Sequence, residues 1–179
     1  MSEQKSDDIL HLPVSEYDHI RGQADAPLTL LEYGDYECPD CEHAAPIVDR
    51  LRKEFGDRLR FVFRHFPNSA IHTHASEAAQ AAEAAGAQGK FWEMHDVLYK
   101  HQKDLADHDI THFGLLVGAE IYRFQSDLSS SRFAARVAQD YDSGLKNGVN
   151  GTPTFFINGQ RYRGPATFDA LREALENAK

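Results

Sequence analysis

Apolar residues in this chain follow a strand pattern near both ends and a helical pattern between them. Leu28–Tyr33 is a mostly apolar run of strand length that ends at Gly34, as expected for a strand covered on both faces. A helix is predicted from Pro39, because apolar side chains recur there at three- and four-residue steps until Gly56. Leu59–Arg64 has the pattern of a second strand. The first third of the chain therefore predicts a strand–helix–strand unit.

The middle of the chain predicts helices only. The first of these is rich in Ala, Glu and Gln, which are strong helix formers. The predicted helices cover Ala75–Gln88, Phe91–Lys103, Thr111–Ala119 and Ser129–Lys146.

The last part of the chain returns to strands. Thr154–Ile157 and Arg161–Arg163 flank Asn158-Gly159, and Asn-Gly between two such runs is a strong hairpin signal. Thr167–Ala178 has helical spacing and predicts a terminal helix. A further short strand is predicted near Leu10–Val14.

These elements predict an α/β fold in which a split core surrounds an all-helical insertion. The core is predicted to comprise residues 10–66 and 149–179, and the insertion residues 67–148. The first strand–helix–strand unit gives a parallel pair of strands, and the hairpin near the end of the chain adds an antiparallel pair. This layout is similar to that of a thioredoxin-like domain.

Charge and hydropathy exclude two classes of partner. The 28 acidic residues outnumber the 19 basic ones, giving a net charge of −9, whereas a nucleic-acid binder needs a basic face. The longest uncharged stretch, Asn147–Gln160, is too short to cross a bilayer and contains three glycines and a proline. The first residues carry acids where a signal peptide needs a basic region. The sequence therefore predicts a cytoplasmic protein, and a periplasmic one only if an export signal has been removed.

The two cysteines, Cys38 and Cys41, are separated only by Pro39 and Asp40. A disulfide across so short a loop contributes about 2 kcal/mol or less to stability. Redox chemistry therefore explains the pair better than a structural disulfide does. Cysteines at i and i+3 of a first helical turn face the same side. Cys38 falls at the helix cap, where free N–H groups and the positive helix end favour a thiolate. We therefore expect Cys38 to attack and the more buried Cys41 to resolve the mixed disulfide.

Three elements together resemble the DsbA-like branch of the thioredoxin superfamily, whose members are thiol-disulfide oxidoreductases. They are the CPDC motif after a strand, the phrase Gly89–His95 within the helical block, and the turn Gly151–Thr154 before the hairpin. The resemblance extends from about Ala26 to the end of the chain. It implies a redox pair at Cys38 and Cys41 and no cofactor or metal.

The resemblance also assigns roles to residues far from the cysteines. It implies a cis bond between Thr152 and Pro153, with a backbone edge beside the sulfurs where a substrate chain pairs. Glu32, six residues before Cys38, matches the buried acid that takes the proton of the inner cysteine. A carboxyl on a covered strand has a raised pKa and can act as a base near neutrality. The alternative is that Glu32 is a partly exposed edge residue.

Two positions depart from strongly oxidising relatives and predict a weaker oxidant than periplasmic DsbA. Asp40 stands where those relatives usually have histidine, and Thr152 is typical of thioredoxins and isomerases. Negative charge beside Cys38 opposes its ionisation, and a less stabilised thiolate makes a less oxidising disulfide. The other acids near the motif are Asp35, Glu37 and Glu42.

The predicted function is disulfide exchange with cysteines of protein substrates, with glutathione or an unknown redox partner completing the cycle. The intact CxxC disfavours a thiol-dependent isomerase of small molecules. Two alternatives stay open on the same fold: a redox-inactive peptide-binding module and a zinc-binding module. The candidate zinc ligands are Cys38, Cys41 and His43, with His72 and His74. The direction of exchange stays open: the lack of an export signal favours reductase or isomerase work, whereas the resemblance to the DsbA-like branch implies an oxidase.

Overall fold

The computed structural model describes residues 8–178, and within that range the chain forms five strands and seven helices. Residues 1–7 and Lys179, the predicted end of the core, lie outside it. The strands are β1 (His19–Arg21), β2 (Leu28–Gly34), β3 (Leu59–His65), β4 (Thr154–Ile157) and β5 (Gln160–Arg161). The helices are α1 (Pro39–Phe55), α2 (Ala75–Gly86), α3 (Phe91–Lys100), α4 (Asp107–Leu116), α5 (Ile121–Ser129), α6 (Ala134–Lys146) and α7 (Phe168–Glu176).

The five strands form one mixed sheet in the order β1-β3-β2-β4-β5. β2 and β3 are parallel, and every other neighbouring pair is antiparallel. All seven residues of β2 are buried, because this strand has a neighbour on each side and packed residues on both faces. The predicted α/β class, the strand–helix–strand unit and the terminal hairpin are confirmed.

Alternation along β2 decides which residues lie beneath α1. Leu30 packs in the larger core cluster, which also contains both cysteines. Leu31 and Tyr33 point to the other face, where the Tyr33 hydroxyl lies 2.8 Å from the hydroxyl of Ser143 on α6. Because strand side chains alternate, Glu32 shares the face of Leu30, and this places its carboxyl under the start of α1.

The helical middle, α2 to α6, lies between β3 and β4 in the chain, and two of its elements were predicted wrongly. Helix α5 was missed, and the helix predicted from Ser129 begins instead at Ala134. The serine cluster that indicated a helix start belongs to the end of α5, since the Ser129 hydroxyl donates to the Gln125 carbonyl at 2.8 Å. The next turn is broken at Ser131, which has a φ of 50°.

Two further helices differ from their predicted bounds. The helix predicted to reach Lys103 stops at Lys100 and is followed by a 3-10 turn, Gln102–Asp104. The helix predicted over Thr111–Ala119 is Asp107–Leu116. None of the helices in residues 8–178 has the length and hydropathy that crossing a bilayer requires.

The ends of the described range also correct the sequence prediction. The hairpin turns at Asn158 and Gly159, both with positive φ, but β5 is Gln160–Arg161 and not Arg161–Arg163. Leu10–Val14 is not a strand. Only Ile9 forms a bridge to the hairpin.

A buried polar network, absent from the sequence prediction, attaches β1 to the insertion. His19 and His65 each place Nε2 within hydrogen-bond distance of the same Glu83 oxygen, at 2.8 Å and 2.9 Å. Burial opposes ionisation of Glu83, but these two contacts outweigh it and hold the pKa of the carboxyl well below its usual range. The network fixes α2 against the sheet edge that carries β1.

Candidate active site

The two cysteines lie at the start of α1, where the sequence predicted them. Cys38 is the N-cap with extended backbone angles, and Pro39 occupies the first helical turn. The Cys38 carbonyl accepts hydrogen bonds from the N–H groups of Cys41 and Glu42, both at 3.1 Å. Cys38 is 7% exposed and Cys41 is fully buried, and both are free thiols. Of the pair, the outer sulfur is the one that a partner molecule can reach.

Local hydrogen bonds favour the ionised form of Cys38. The contact with the Cys41 thiol is the largest influence; burial acts against it, while the Thr152 side chain and the backbone N–H groups of Asp40 and Cys41 add to it. Together they lower the pKa of Cys38 to about 5. When protonated, the thiol can instead donate to the Thr152 carbonyl at 3.3 Å. Cys38 is thus suited to act as a nucleophile at neutral pH.

The inner cysteine and Glu32 are held in their protonated forms. Burial is the main reason that the pKa of Cys41 lies well above its ordinary value, and its contact with Cys38 adds to it. Burial likewise raises the pKa of Glu32 to about 8, with a further contribution from the charge of Cys38. Glu32 is 2% exposed, so the alternative of a partly exposed edge residue is excluded.

A cleft of about 670 Å³ borders Glu32 but not Cys38. Its walls come from α1 and from the segment His95–Lys103, and both Glu32 and Tyr99 line it. Glu32 Oε1 and the Tyr99 hydroxyl are buried and make no hydrogen bond within the protein. Since such atoms need partners, the cleft offers water a place to bind beside the carboxyl.

Cys38 borders a separate pocket of about 360 Å³, which Glu32 does not line. The Thr152–Pro153 bond is cis, and Thr152 forms one wall of this pocket. Pro39 and Asp40 are exposed and form another wall. The sulfur therefore faces a surface concavity bounded by the turn that the sequence singled out. The remaining lining residues are Phe66, Asn68, Ile71, His72, Asn150 and Gly151.

Two acids that were expected to oppose ionisation of Cys38 each contact a histidine. The Asp35 carboxylate lies 2.7 Å from His72 Nδ1, and the Glu37 carboxylate lies 3.1 Å from His74 Nδ1. The sequence analysis considered the charges of these acids without a partner, and the structure gives each of them a histidine contact. Two acids and two histidines, each pair separated by one residue, are visible in the sequence. Only the fold shows that these two segments meet.

Gln102 is a buried residue of the site that sequence reasoning missed. Its side-chain amide donates to the carbonyl oxygens of Tyr36 and Cys38, at 3.0 Å and 2.8 Å. It therefore ties the 3-10 turn after α3 to the loop that carries the outer cysteine. A lone glutamine in a helical segment gives no sequence signal for such a role, because its partners are backbone atoms more than sixty positions away.

The proposed zinc ligands are not brought together. Cys38, Cys41 and His43 do not form a group of three ligand atoms within 4.8 Å, and His72 and His74 contact carboxylates instead. Across residues 8–178 the group that meets this criterion is His19, His65 and Glu83, the hydrogen-bonded network beside β1.

Comparison with known proteins agrees with the fold. The thioredoxin family model matches residues 14–177, and the chain therefore belongs to the thioredoxin family. The expected resemblance to its DsbA-like thiol-disulfide oxidoreductases is confirmed.

Two solved structures illustrate the likeness. BdbD from Bacillus subtilis superposes with a TM-score of 0.80 at 26% identity, covering 88% of this chain and 90% of that one. Alpha-DsbA1 from Wolbachia pipientis gives a TM-score of 0.79 over 97% and 96% of the two chains. At 16% identity, the second match shows the shared fold alone.

A curated relative from Salinispora arenicola, named Na(+)/H(+) antiporter NhaA 1, is 44% identical over 170 residues. The aligned part covers 94% of this chain but only 26% of the relative. The chain thus spans about a quarter of the length of such relatives, and their name describes much longer proteins.

Proposed function

We propose that the protein exchanges disulfides with cysteines of protein substrates, using Cys38 and Cys41 as its redox pair. The observation that carries the proposal is the unequal environment of the two sulfurs: Cys38 borders an open pocket with a lowered pKa, and Cys41 is sealed beside Glu32. An oxidoreductase of this kind needs one reachable thiolate and one protected thiol. Its partners would be cysteine-containing proteins and a redox partner or glutathione, and its cellular compartment stays a prediction.

In the reducing direction, the Cys38 thiolate attacks one sulfur of a substrate disulfide. A bond forms between Cys38 and that sulfur, the substrate S–S bond breaks, and the other substrate sulfur leaves as a thiolate. The substrate chain would lie along the Thr152–Pro153 edge. Because the reaction is reversible, the same atoms serve the oxidising direction.

In the second step the Cys41 sulfur bonds to Cys38, the bond between Cys38 and the substrate sulfur breaks, and that sulfur leaves as a thiolate that takes up a proton. Cys41 must lose its proton to attack Cys38, and Glu32 is the proposed base. Forming the mixed disulfide removes the negative charge of Cys38, which is one of the influences that raise the pKa of both Glu32 and Cys41. The first step therefore prepares the second: the acid ionises more readily and the thiol is easier to deprotonate. The substrate leaves as a dithiol, having gained two electrons from the pair.

The proton needs a route that the bound substrate does not cover. In the mixed disulfide the substrate occupies the pocket beside Cys38, whereas Glu32 borders a different cleft. Water in that cleft, between the Glu32 carboxyl and the Tyr99 hydroxyl, would carry the proton to solvent. The two unpartnered oxygen atoms support this route.

The pKa of Cys38 supports an oxidant of intermediate strength. Strongly oxidising DsbA has a cysteine pKa near 3.5 and thioredoxin one near 7, and the value of about 5 for Cys38 lies between them. A more stable thiolate favours the reduced protein and makes the disulfide a stronger oxidant.

The reduction potential, measured by equilibration with glutathione, tests this proposal. We expect a value between about −270 mV, typical of thioredoxin, and about −120 mV, typical of DsbA. A potential at or above −120 mV would refute the weaker-oxidant assignment. A pair that glutathione cannot oxidise or reduce at all would refute the redox function itself.

A further inference from the structure

The segments on either side of the Cys38 pocket meet through matched acid–histidine pairs. Glu37 directly precedes Cys38 and Asp35 lies three positions before it, whereas His72 and His74 lie in the loop between β3 and α2. Each histidine uses Nδ1 to contact the acid at the corresponding position. The pair Asp35–His72 is the more buried one, since the His74 side chain is 39% exposed and that of His72 17%.

Asp35 is the centre of this arrangement. Its carboxylate is fully buried and accepts hydrogen bonds from the N–H groups of Glu37 and Asn68, at 2.8 Å and 2.9 Å, as well as contacting His72. Its backbone carbonyl accepts the Cys38 N–H at 3.1 Å. A buried negative charge this close to Cys38 opposes ionisation of the thiol unless a positive charge balances it.

His72 is placed to provide that charge. It lines the same pocket as Cys38, and the charge of Cys38 is one of the influences on its ionisation. Burial opposes its protonation, but the hydrogen bond and charge of Asp35, with the charges of Cys38 and Glu37, outweigh burial and raise the pKa of His72. The imidazole is therefore charged at neutral pH more often than that of a free histidine.

We propose that His72, held by Asp35, is a positioning residue that stabilises the Cys38 thiolate by its positive charge. This inference rests on the proposed function, in which Cys38 is the exchanging sulfur. The thiolate exists in the reduced protein and not in the disulfide, so the charge favours the reduced state and strengthens the oxidant. The acids around the motif are thereby offset by a histidine from a distant loop.

The direct test replaces His72 by glutamine, which can still donate a hydrogen bond to Asp35 but carries no charge. We expect the acid dissociation constant of Cys38, measured from the pH dependence of alkylation, to fall about three- to tenfold. The equilibrium with glutathione should shift by the same factor toward the disulfide, and tenfold corresponds to about 30 mV. His72→Lys should keep the wild-type values, because it restores the charge, and His108→Gln, at an exposed histidine, should leave them unchanged.

Two results would overturn the inference: equal Cys38 ionisation in His72→Gln and the wild type, or a His72→Lys protein that behaves like His72→Gln. A second measurement needs no substitution at His72. Coupling between two sites is reciprocal, so the pKa of His72, followed by NMR, should be lower in Cys38→Ser than in the reduced wild type. The same pKa in both proteins would contradict the inference. None of these measurements uses a substrate, so absent turnover would count against the proposed function alone.

Discussion

Cys38→Ser is expected to lose all catalysed reduction of insulin disulfides, leaving the rate seen without protein. A serine hydroxyl at this N-cap keeps the hydrogen-bonding geometry but stays protonated at neutral pH and forms no stable bond with sulfur. Removing the attacking group of an enzyme costs on the order of 10³-fold in rate or more. The assay is insulin reduction at neutral pH with the wild type measured in parallel.

Cys41→Ser is the matched control, because it removes the other sulfur one helical turn away. Without the resolving thiol, the first step still occurs and the second cannot. This variant should accumulate a covalent complex with substrate, linked through Cys38 and released by added dithiol. Turnover that persists in Cys38→Ser would show that the exchanging sulfur has been assigned wrongly. No Cys38-dependent turnover in the wild type would favour the peptide-binding alternative.

Glu32→Gln is expected to slow resolution of the mixed disulfide by about 10²-fold, while attack by Cys38 stays close to the wild-type rate. Glutamine fills nearly the same volume but cannot accept a proton, and a positioned base contributes about 10²–10⁴-fold to proton transfer. Single-turnover mixing followed by acid quenching separates the two steps. Equal resolution rates in Glu32→Gln and the wild type would remove Glu32 from the mechanism.

Stability gives an independent check that the slow step does not reflect misfolding. The folded protein keeps the Glu32 proton up to a pKa of about 8, whereas the unfolded chain loses it near pH 4.3. This group therefore favours folding below the unfolded value, and that contribution is lost as pH rises toward 8. Glu32→Gln should be more stable than the wild type at pH 8, on the order of 2 kcal/mol or more, and should lose this advantage toward pH 4. Urea unfolding at both pH values measures it.

Local patterns predicted most of what positions the redox pair. Three of these patterns are local: the apolar run of β2, the apolar side chains that recur at three- and four-residue steps in α1, and the Asn158-Gly159 turn. The structure agrees with all three. The same run favoured burial of Glu32, and the structure decides against the alternative of a partly exposed edge residue. The cis bond at Pro153 came only from the family resemblance, because cis is the minority state for such bonds.

The residues that sequence reasoning missed depend on contacts between distant segments. Asp35 and His72 are 37 positions apart and Gln102 and Cys38 are 64 apart, and no short-range pattern links them. Tyr99 is another such residue: its buried hydroxyl makes no hydrogen bond within the protein, and the residue borders the cleft beside Glu32. The wrong start of α6 has a local cause, because serines can end one helix as well as begin the next.

The proposed function depends most on ionisation of Cys38, and titrating that thiol in the reduced Cys41→Ala protein and in the wild type measures it directly. Ultraviolet absorbance of the thiolate and the rate of alkylation should both give a midpoint near 5 in the wild type. The midpoint should be higher in Cys41→Ala, which lacks the hydrogen bond from the inner thiol. A wild-type midpoint at or above about 8.5, the value of an ordinary cysteine, would contradict the account.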